Sequence, residues 1–596
     1  MLNLQPNQKN RIIAIIKQKL IATNKNRIMK NFTRLFVILL AAVLMSGCSS
    51  LDKMKKNANL VKYEITPKVL ETHAGIVAAQ VKATYPEKYF DKNTTLKVTP
   101  VLVYEGGETA FDELLFAQGE KVLANNKPVA WTGGTVSWSG DVNYIPEMKV
   151  SEFLLRVEAE RKGKTLAFDP IKLADGVIAT STLVENHAMP ISLKDNYQRI
   201  VPEQKMADIL YSINRADIRP AELKAEDIAA LKDYIALAMQ NERMEVKAVT
   251  NSSYASPDGP LALNEKLSEQ RGKAAEKYLQ KEYKKMPELT ALFATQTTAE
   301  DWEGFKALVQ ESSVADKELI LRVLSMYQDP VVREQEIKNM SAAYEALAEE
   351  ILPQLRRSKL IVDVNLIGLN DEEILNAIKT DPSVLSLEQM LYAATLTQDP
   401  AEMLKYYQLA AEKEPKCFRA WNNIGWTLLH MGKTDEAVAA LEKAKALKND
   451  DTVKNNLGFA ALLKGDIKAS AEYFNSMSAA TPESKFGLGT IAIIEGKYDQ
   501  AVNMLGDKPT MNLALAQLLK GDLTKAKATM DAVAPCKCGA PSYLKAVIAA
   551  RQDNKDAVLN GLREAIGYNS DWKNYAMTDL EFSKYFTDDA FIAVTK

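Results

Sequence analysis

The spacing of small residues in the C-terminal part of the chain constrains its fold more than any other feature. Gly425, Gly458 and Gly489 recur at intervals of 33 and 31 residues. A second series of glycines marks turns: Gly432, Gly465, Gly496 and Gly521. A small residue at the same place in each copy lets two helices approach closely, so the pattern predicts a stack of helical hairpins over residues 371–596.

One copy of this pattern is clearer than the others. It reads Trp421-Asn422-Asn423-Ile424-Gly425-Trp426 and continues with Gly432, Ala437, Leu441 and Ala444. A period near 34 residues with this order of small and large side chains resembles the tetratricopeptide repeat family over about 384–535, and more loosely over 541–575. The resemblance implies an all-α solenoid over 371–596 whose surface binds a protein partner. A solenoid that only spaces or rigidifies other domains is the alternative.

The N-terminal region predicts export from the cytoplasm. Lys30 and Arg34 are followed by an apolar run over 35–45 and then by the small residues Ser46 and Gly47. That run is shorter than the roughly 20 residues that span a bilayer, and this order of basic, apolar and small residues is typical of a signal peptide. Residues 1–47 are therefore predicted to be a signal peptide, with the true start at Met29.

A cysteine directly after two small residues resembles the lipobox of bacterial lipoproteins. The resemblance implies that Cys48 is diacylated and becomes the first residue, so that the acyl anchor is the only membrane attachment. Residues 48–60 are polar and lysine-rich, which predicts a tether. Because the run after Cys48 is basic, whereas surface lipoproteins of Bacteroidetes often carry an acidic one, we expect the periplasmic face of the outer membrane.

Residues 61–200 show the period-two alternation of half-exposed β-strands. Val77, Ala79, Val81 and Ala83 alternate with less apolar neighbours, and the same alternation recurs over 153–160. Alternation broken by tight turns predicts an antiparallel sheet. We therefore expect a β-sandwich-like region of one or two modules.

Residues 201–366 alternate between strand-like and helix-like stretches and are predicted to form an α+β domain. One stretch carries a distinctive order of residues: Tyr254-Ala255-Ser256-Pro257-Asp258-Gly259, then Asn264, Leu267-Ser268 and Arg271. It resembles the OmpA-like peptidoglycan-binding family, whose match covers about 205–285 with a closing strand near 359–366. Ser256 stands where that family has an aspartate, and Asp258 is the candidate substitute.

The resemblance implies that Arg271 binds the carboxylate of diaminopimelate in the peptidoglycan stem peptide, while Asn264 orients the turn or the ligand. Asn264, Ser268 and Arg271 lie four and then three residues apart, so a single helical face presents them. A guanidinium there can hold a carboxylate through two parallel hydrogen bonds. Leu263 and Leu267 are expected in an adjacent apolar stripe that faces the sheet.

A long helical insertion is predicted at 286–358, between the second helix and the last strand. Ser-Pro-acid-Gly versions of the motif with such insertions are similar to those of Bacteroidetes outer-membrane lipoproteins. An OmpA-like fold kept as a rigid spacer, without wall binding, is the alternative.

Composition and motif content argue against catalysis and against nucleic acid as a partner. The formal net charge is -2, and the chain has four cysteines and three isolated histidines. Metal sites of the common structural kind need four ligands, and no phosphate loop or nucleophile motif is present in the sequence. We expect no cofactor, no metal and no enzyme activity; a hydrolase hidden within 61–200 is the least supported hypothesis.

Together these features predict a multidomain periplasmic adaptor lipoprotein. It would link the outer membrane to peptidoglycan and recruit a protein partner through its repeats. The alternative is a structural or assembly component of a secretion, fimbrial or envelope complex whose OmpA-like domain does not bind the wall.

Overall fold

The computed structural model describes residues 49–90, 93–117, 126–314 and 316–596. The predicted signal peptide and Cys48 lie outside these ranges. The chain divides into two compact units. The first unit contains the described residues up to Met189 together with Ala461–Lys596, and the second contains Pro190–Ala460.

The first unit opens with a helix, α1 (Ser49–Lys56), where a polar tether was predicted. Leu51 and Met54 of this helix are buried in the hydrophobic core of the β-rich region. They lie three residues apart and therefore on one helical face, so the lysine-rich composition of the stretch concealed an amphipathic helix. The prediction of a tether over 48–60 is therefore wrong for Ser49–Lys56.

The strands of the first unit form two sheets. Their bounds are β1 (Lys62–Thr66), β2 (Leu70–His73), β3 (Ile76–Tyr85), β4 (Thr94–Tyr104), β5 (Gly107–Ala110), β6 (Leu114–Ala117), β7 (Asn126–Pro128), β8 (Gly134–Asn143), β9 (Ser151–Arg161), β10 (Lys164–Ala167), β11 (Ile171–Asp175) and β12 (Val177–Ile178). One sheet has the order β1-β3-β2-β12 with β8 on β3. The other has the order β10-β9-β4-β6-β7, with β11 on β9 and β5 on β4.

Both sheets contribute to one hydrophobic cluster. Val81 of β3 and Trp138 of β8 meet Phe153 of β9 and Phe116 of β6 in this cluster. Burial alternates along β3 and β9 as the period-two pattern predicts. The predicted β-rich N-terminal region is therefore confirmed, and its two sheets share one hydrophobic core. Its last strand ends at Ile178, well before the predicted boundary at 200.

The second unit contains an α+β domain. Its elements are β13 (Ile200–Leu210), α2 (Glu226–Gln240), β14 (Met244–Tyr254), α3 (Leu261–Glu282), α4 (Pro287–Thr290), β15 (Phe293–Thr298), α5 (Trp302–Glu311), α6 (Lys317–Met326), α7 (Pro330–Asn339), α8 (Ser341–Glu350), α9 (Leu352–Leu355) and β16 (Arg357–Ile367). The four strands form a sheet of order β13-β16-β14-β15. β14 and β15 are parallel, whereas β16 is antiparallel to both β13 and β14.

The segment 286–358 is not wholly helical, in contrast to the prediction. Its first part supplies β15, which pairs with β14 from Val249 to Tyr254. Only the helices from α5 to α9 form a separate layer, and they carry a small hydrophobic cluster of their own that includes Phe305 and Leu352. The polar side chains of β15 gave no alternation that would have marked a strand.

The C-terminal part is all-α, as predicted. In the second unit its helices are α10 (Asp371–Thr380), α11 (Leu387–Ala393), α12 (Pro400–Lys413), α13 (Phe418–His430) and α14 (Thr434–Leu447), and the unit boundary falls within α15 (Asp451–Leu463). In the first unit they are α16 (Ile467–Asn475), α17 (Pro482–Ile494), α18 (Tyr498–Leu505), α19 (Met511–Lys520), α20 (Leu523–Ala532), α21 (Ala540–Arg551), α22 (Lys555–Tyr568), α23 (Asp571–Met577) and α24 (Asp589–Thr595).

The recurring glycines have the packing role that their spacing indicated. A Cβ added at Gly425 would come within 2.6 Å of Leu441 Cδ2, and one at Gly489 within 2.6 Å of Leu505 Cγ. Each glycine therefore lets the next helix of its pair approach closely. Across the ranges that the structure describes, no helix combines the length and apolar character needed to cross a membrane.

Candidate functional site

An extended segment of the second unit is held by asparagine side chains of the repeat helices. This segment, residues 190–197, has no helix or strand. Asn456 of α15 accepts a hydrogen bond from the Ile191 N–H at 2.7 Å and donates to the Ile191 carbonyl at 2.8 Å. One side-chain amide thereby satisfies both backbone groups of one residue.

Asn423 of α13 repeats this arrangement on Leu193. Its Oδ1 accepts from the Leu193 N–H at 2.7 Å, and its Nδ2 donates to the Leu193 carbonyl at 2.8 Å. Alternate residues of an extended chain direct their backbone groups to the same side. Two asparagines 33 residues apart in sequence therefore match two backbone positions two residues apart. We call Asn423 and Asn456 the asparagine row.

A third amide fixes the orientation of the row. Asn422 Oδ1 accepts from Asn456 Nδ2 at 3.0 Å, while Asn422 Nδ2 donates to the Ile191 carbonyl at 3.2 Å. All three asparagines are buried. A buried amide without a partner costs about 1–3 kcal/mol, and the bonds to the extended segment help to satisfy these buried side chains.

The flanks of the segment are also bound through backbone atoms. Trp426 Nε1 donates to the Pro190 carbonyl at 3.1 Å, and Arg419 Nη1 donates to the Lys194 carbonyl at 3.2 Å. Glu388 accepts from the Asn196 N–H at 2.6 Å. The hydrogen bond from Arg419 lowers the pKa of Glu388, which keeps this carboxylate ionised as an acceptor.

The same pairing occurs in the described part of the first unit. Asn512 of α19 accepts from the Glu185 N–H at 2.7 Å and donates to the Glu185 carbonyl at 2.9 Å. Asn186 Nδ2 donates to the Leu462 carbonyl at 3.1 Å. Sequence reasoning missed these sites, although the Asn-Asn pairs at 422–423 and 455–456 recur one repeat apart.

The residues proposed to bind peptidoglycan lie together where β14 leads into α3. Asn264, Ser268 and Arg271 share one face of α3, as their spacing predicts, but all three are buried. The expected apolar stripe is wrong at Leu263, which is 41% exposed, and right at Leu267, which is buried. The polar face itself therefore packs into the domain.

Arg271 is 1% exposed and directs its guanidinium at backbone carbonyls. Its Nε donates to the Arg215 carbonyl at 3.0 Å and its Nη1 to the Tyr254 carbonyl at 2.8 Å. The Arg271 guanidinium lies 5.1 Å from the centroid of the Tyr211 ring, and burial lowers the pKa of Arg271 to about 10. The protein's own carbonyls thus accept hydrogen bonds from the Nε, Nη1 and Nη2 groups of the guanidinium that the sequence predicts as a carboxylate clamp.

The turn that precedes α3 is closed by its own side chains. Ser256 Oγ donates to the Asp258 carboxylate, and Asn264 Nδ2 donates to the Gly259 carbonyl at 2.9 Å. Arg356 donates to Ser256 Oγ at 3.2 Å and pairs with Asp258 at 3.3 Å. Sequence reasoning missed Arg356, which comes from the far end of the insertion.

Two further contacts complete this description. Ser268 Oγ donates to the Glu265 carbonyl of its own helix at 2.9 Å. From the inserted helices, Trp302, Phe305 and Leu352 line a small recess together with Pro257 and Asp258. The inserted helices thus pack beside this turn. No group of three or more His, Cys, Asp or Glu side chains suited to a metal ion occurs among the described residues.

Comparison with known proteins concerns the repeats. Residues 418–451 match the family model of the tetratricopeptide repeat, and no curated protein matches the chain significantly. A tetratricopeptide repeat protein from Parabacteroides merdae is 14% identical, with 35% of this chain and 91% of that chain covered and a TM-score of 0.29.

Two other solved structures share this likeness. YrrB, described as a tetratricopeptide repeat protein with an unusual peptide-binding site, is 19% identical, with 36% and 100% of the two chains covered and a TM-score of 0.20. Yeast Tom70 is 13% identical, with 56% and 77% covered and a TM-score of 0.26. The matched stretch 418–451 spans α13 and α14 and contains Asn423. Within the C-terminal helices, residues 418–451 are thus similar to a tetratricopeptide repeat.

Proposed function

We propose that this protein is a non-catalytic scaffold of the bacterial envelope that binds a protein partner through its tetratricopeptide repeats. The observation that carries this proposal is the pairing of Asn423 and Asn456 with an extended polypeptide backbone. Side-chain amides that bond both backbone groups of a residue suit the binding of polypeptide without regard to its side chains. Repeat solenoids present extended surfaces of this kind to partners.

We further propose that an acyl group on Cys48 anchors the protein to the periplasmic face of the outer membrane. The order of residues before Cys48 supports an export signal. α1 begins at Ser49, and Arg161 of β9 donates to Ser50 Oγ at 2.6 Å. The anchor would therefore join the β-rich module almost directly.

Two versions of this scaffold differ in what the α+β domain does. In one, the domain links the outer membrane to peptidoglycan by binding diaminopimelate at Arg271 with Asn264, Ser256, Asp258 and Ser268. In the other, the protein is an assembly component of an envelope complex and the domain does not bind the wall. The burial of Arg271 and its bonds to backbone carbonyls favour the second version.

Capture of partners from crosslinked envelopes tests the scaffold. Gly425→Ala places a Cβ against buried Leu441 and should disturb the repeats, whereas Gly567→Ala introduces a Cβ into open space. We expect the wild type and Gly567→Ala to retain the same stable partners and Gly425→Ala to lose them. Recovery of no protein partner by the wild type would overturn the proposal.

Sedimentation of the full chain with purified sacculi separates the two versions. Arg271→Ala removes the proposed clamp, and Arg243→Ala removes an exposed arginine of the same unit that pairs with Glu373. We expect no sedimentation above background for any of the three proteins. Wall binding would be established instead if the wild type and Arg243→Ala sedimented and Arg271→Ala did not. The circular dichroism spectrum of Arg271→Ala must then be unchanged.

A further inference from the structure

The occupant of the asparagine row belongs to the same chain. Its bound groups are the carbonyls of Pro190, Ile191, Leu193 and Lys194 and the N–H groups of Ile191 and Leu193. The side chains of Ser192 and Lys194 are exposed. The side chains of Ile191 and Leu193 are partly buried. The asparagine row itself bonds backbone groups, so an extended polypeptide with free N–H groups at two alternate positions has the chemistry that the row binds.

We infer that residues 190–197 act as an intramolecular latch that occupies a general binding site for extended polypeptide. The inference rests on the proposed scaffold function and specifies a condition for it. An external segment that uses the asparagine row must first displace the protein's own segment. Partner binding at this surface is therefore controlled by release of the latch.

A tethered occupant is a strong competitor even when its own contacts are ordinary. A segment that remains covalently attached competes at an effective concentration in the millimolar range. A free peptide with the same contacts is then weakened by about tenfold or more. A competing segment must also replace the hydrogen bonds that Asn422, Asn423 and Asn456 make to residues 191 and 193.

The ends of the latch offer a place where release could begin. Arg419 binds both the Lys194 carbonyl and the Glu388 carboxylate, which in turn accepts from the Asn196 N–H. The rings of Tyr197 and Tyr392 also lie in contact, with centroids 4.9 Å apart and planes tilted by 39°. These contacts lie nearer the surface than the asparagine row, so the C-terminal end of the latch is the part that a competing segment would displace first.

Binding of a labelled synthetic peptide of residues 189–198 to the full chain tests the latch by fluorescence anisotropy. The double substitution Ile191→Pro and Leu193→Pro removes the two backbone N–H groups that donate hydrogen bonds to Asn456 and Asn423. We expect this variant to bind the peptide at least about tenfold more tightly than the wild type. Ser192→Pro is the matched control and should behave as the wild type, since both bound N–H groups remain.

A second variant controls for misfolding of the double-proline protein, and we call both of them open variants. Replacement of residues 189–198 by a Gly-Ser sequence of equal length should also expose the row and bind the peptide. Adding Asn423→Asp and Asn456→Asp to either open variant should abolish binding, because a carboxylate cannot donate to a carbonyl. Equal binding by wild type and open variants, absence of binding by both open variants, or binding that survives the aspartates would overturn the inference.

This experiment uses only a synthetic peptide, so its result is independent of partner capture from envelopes. A latch without any envelope partner would leave the inference standing and remove the scaffold proposal. If envelope partners were recovered but all variants bound the peptide equally, the scaffold proposal would stand and the latch inference would fail.

Discussion

Arg551 and Glu581 form a buried ion pair in the first unit. Arg551 Nε lies 3.0 Å from both carboxylate oxygens of Glu581, whose side chain is 3% exposed. Arg551 Nη2 also donates to Glu71 of β2 at 2.6 Å. A single guanidinium therefore joins a repeat helix, the C-terminal segment and the β-rich module.

Removal of Arg551 should destabilise the first unit strongly. Arg551→Met leaves the Glu581 carboxylate buried without its cation, and losing one partner of such a pair costs about 3–5 kcal/mol. Urea unfolding at neutral pH measures the loss. Lys584→Met, which breaks the exposed pair with Asp553, is the control and should have no measurable effect. Equal midpoints for Arg551→Met and the wild type would contradict this account.

The stability of the first unit should depend on Lys149 at alkaline pH. Burial lowers the pKa of Lys149 to about 8, against the opposing influence of Asp579. Between pH 8 and the ordinary lysine pKa near 10.4 the unfolded chain binds more protons than the folded one, so this group adds stability as the pH rises. The free energy of unfolding of the wild type should rise relative to Lys149→Met between pH 8 and pH 10. A constant difference across this range would refute the assignment.

Two glycine substitutions in repeat helices should have opposite effects on stability. Gly425→Ala forces a Cβ against buried Leu441 and should cost about 1–3 kcal/mol through overpacking. The Cβ added by Gly567→Ala meets no atom within 4 Å. This variant should therefore be more stable by up to about 1 kcal/mol, because alanine has the higher helix propensity. Thermal and urea unfolding of both variants test the difference, and a neutral Gly425→Ala would show that the helix pair can separate without cost.

Loss of the asparagine row should expose the latch to proteolysis. The double variant Asn423→Ala and Asn456→Ala removes four hydrogen bonds to backbone atoms of the segment, so trypsin should cut after Lys194 at least about tenfold faster, since cleavage follows local opening. Asn376→Ala, an exposed asparagine of α10, is the control and should leave the rate unchanged. An unchanged rate in the double variant would show that other contacts hold the segment.

Features with a local period could be predicted from the sequence. The close approach of Gly425 and Leu441 follows from the repeat spacing, and the burial of Val77 and Val81 follows from alternation along β3. Long-range pairing could not be predicted in this way. Ile191 and Asn456 are 265 residues apart, and an asparagine inside a helix gives no local sign of its partner.

The candidate site illustrates the same limit. The spacing placed Asn264, Ser268 and Arg271 on one helical face, but it did not show which way that face turns. In the folded domain, Arg271 of this face donates to the carbonyls of Arg215 and Tyr254. These groups come from separate strands and loops, so only the folded domain reveals that the guanidinium is already occupied.

The packing of α1 has a mechanical consequence for the proposed anchor. Leu51 and Met54 fix this helix to the β-rich module immediately after Cys48. A flexible leader would let a lipid-anchored protein move away from the bilayer, and it would extend under a small force before that force reached the folded module. With α1 folded, a pull on an acyl group at Cys48 would load the helix and its hydrophobic contacts at once, so the module would follow the membrane closely as the envelope flexes.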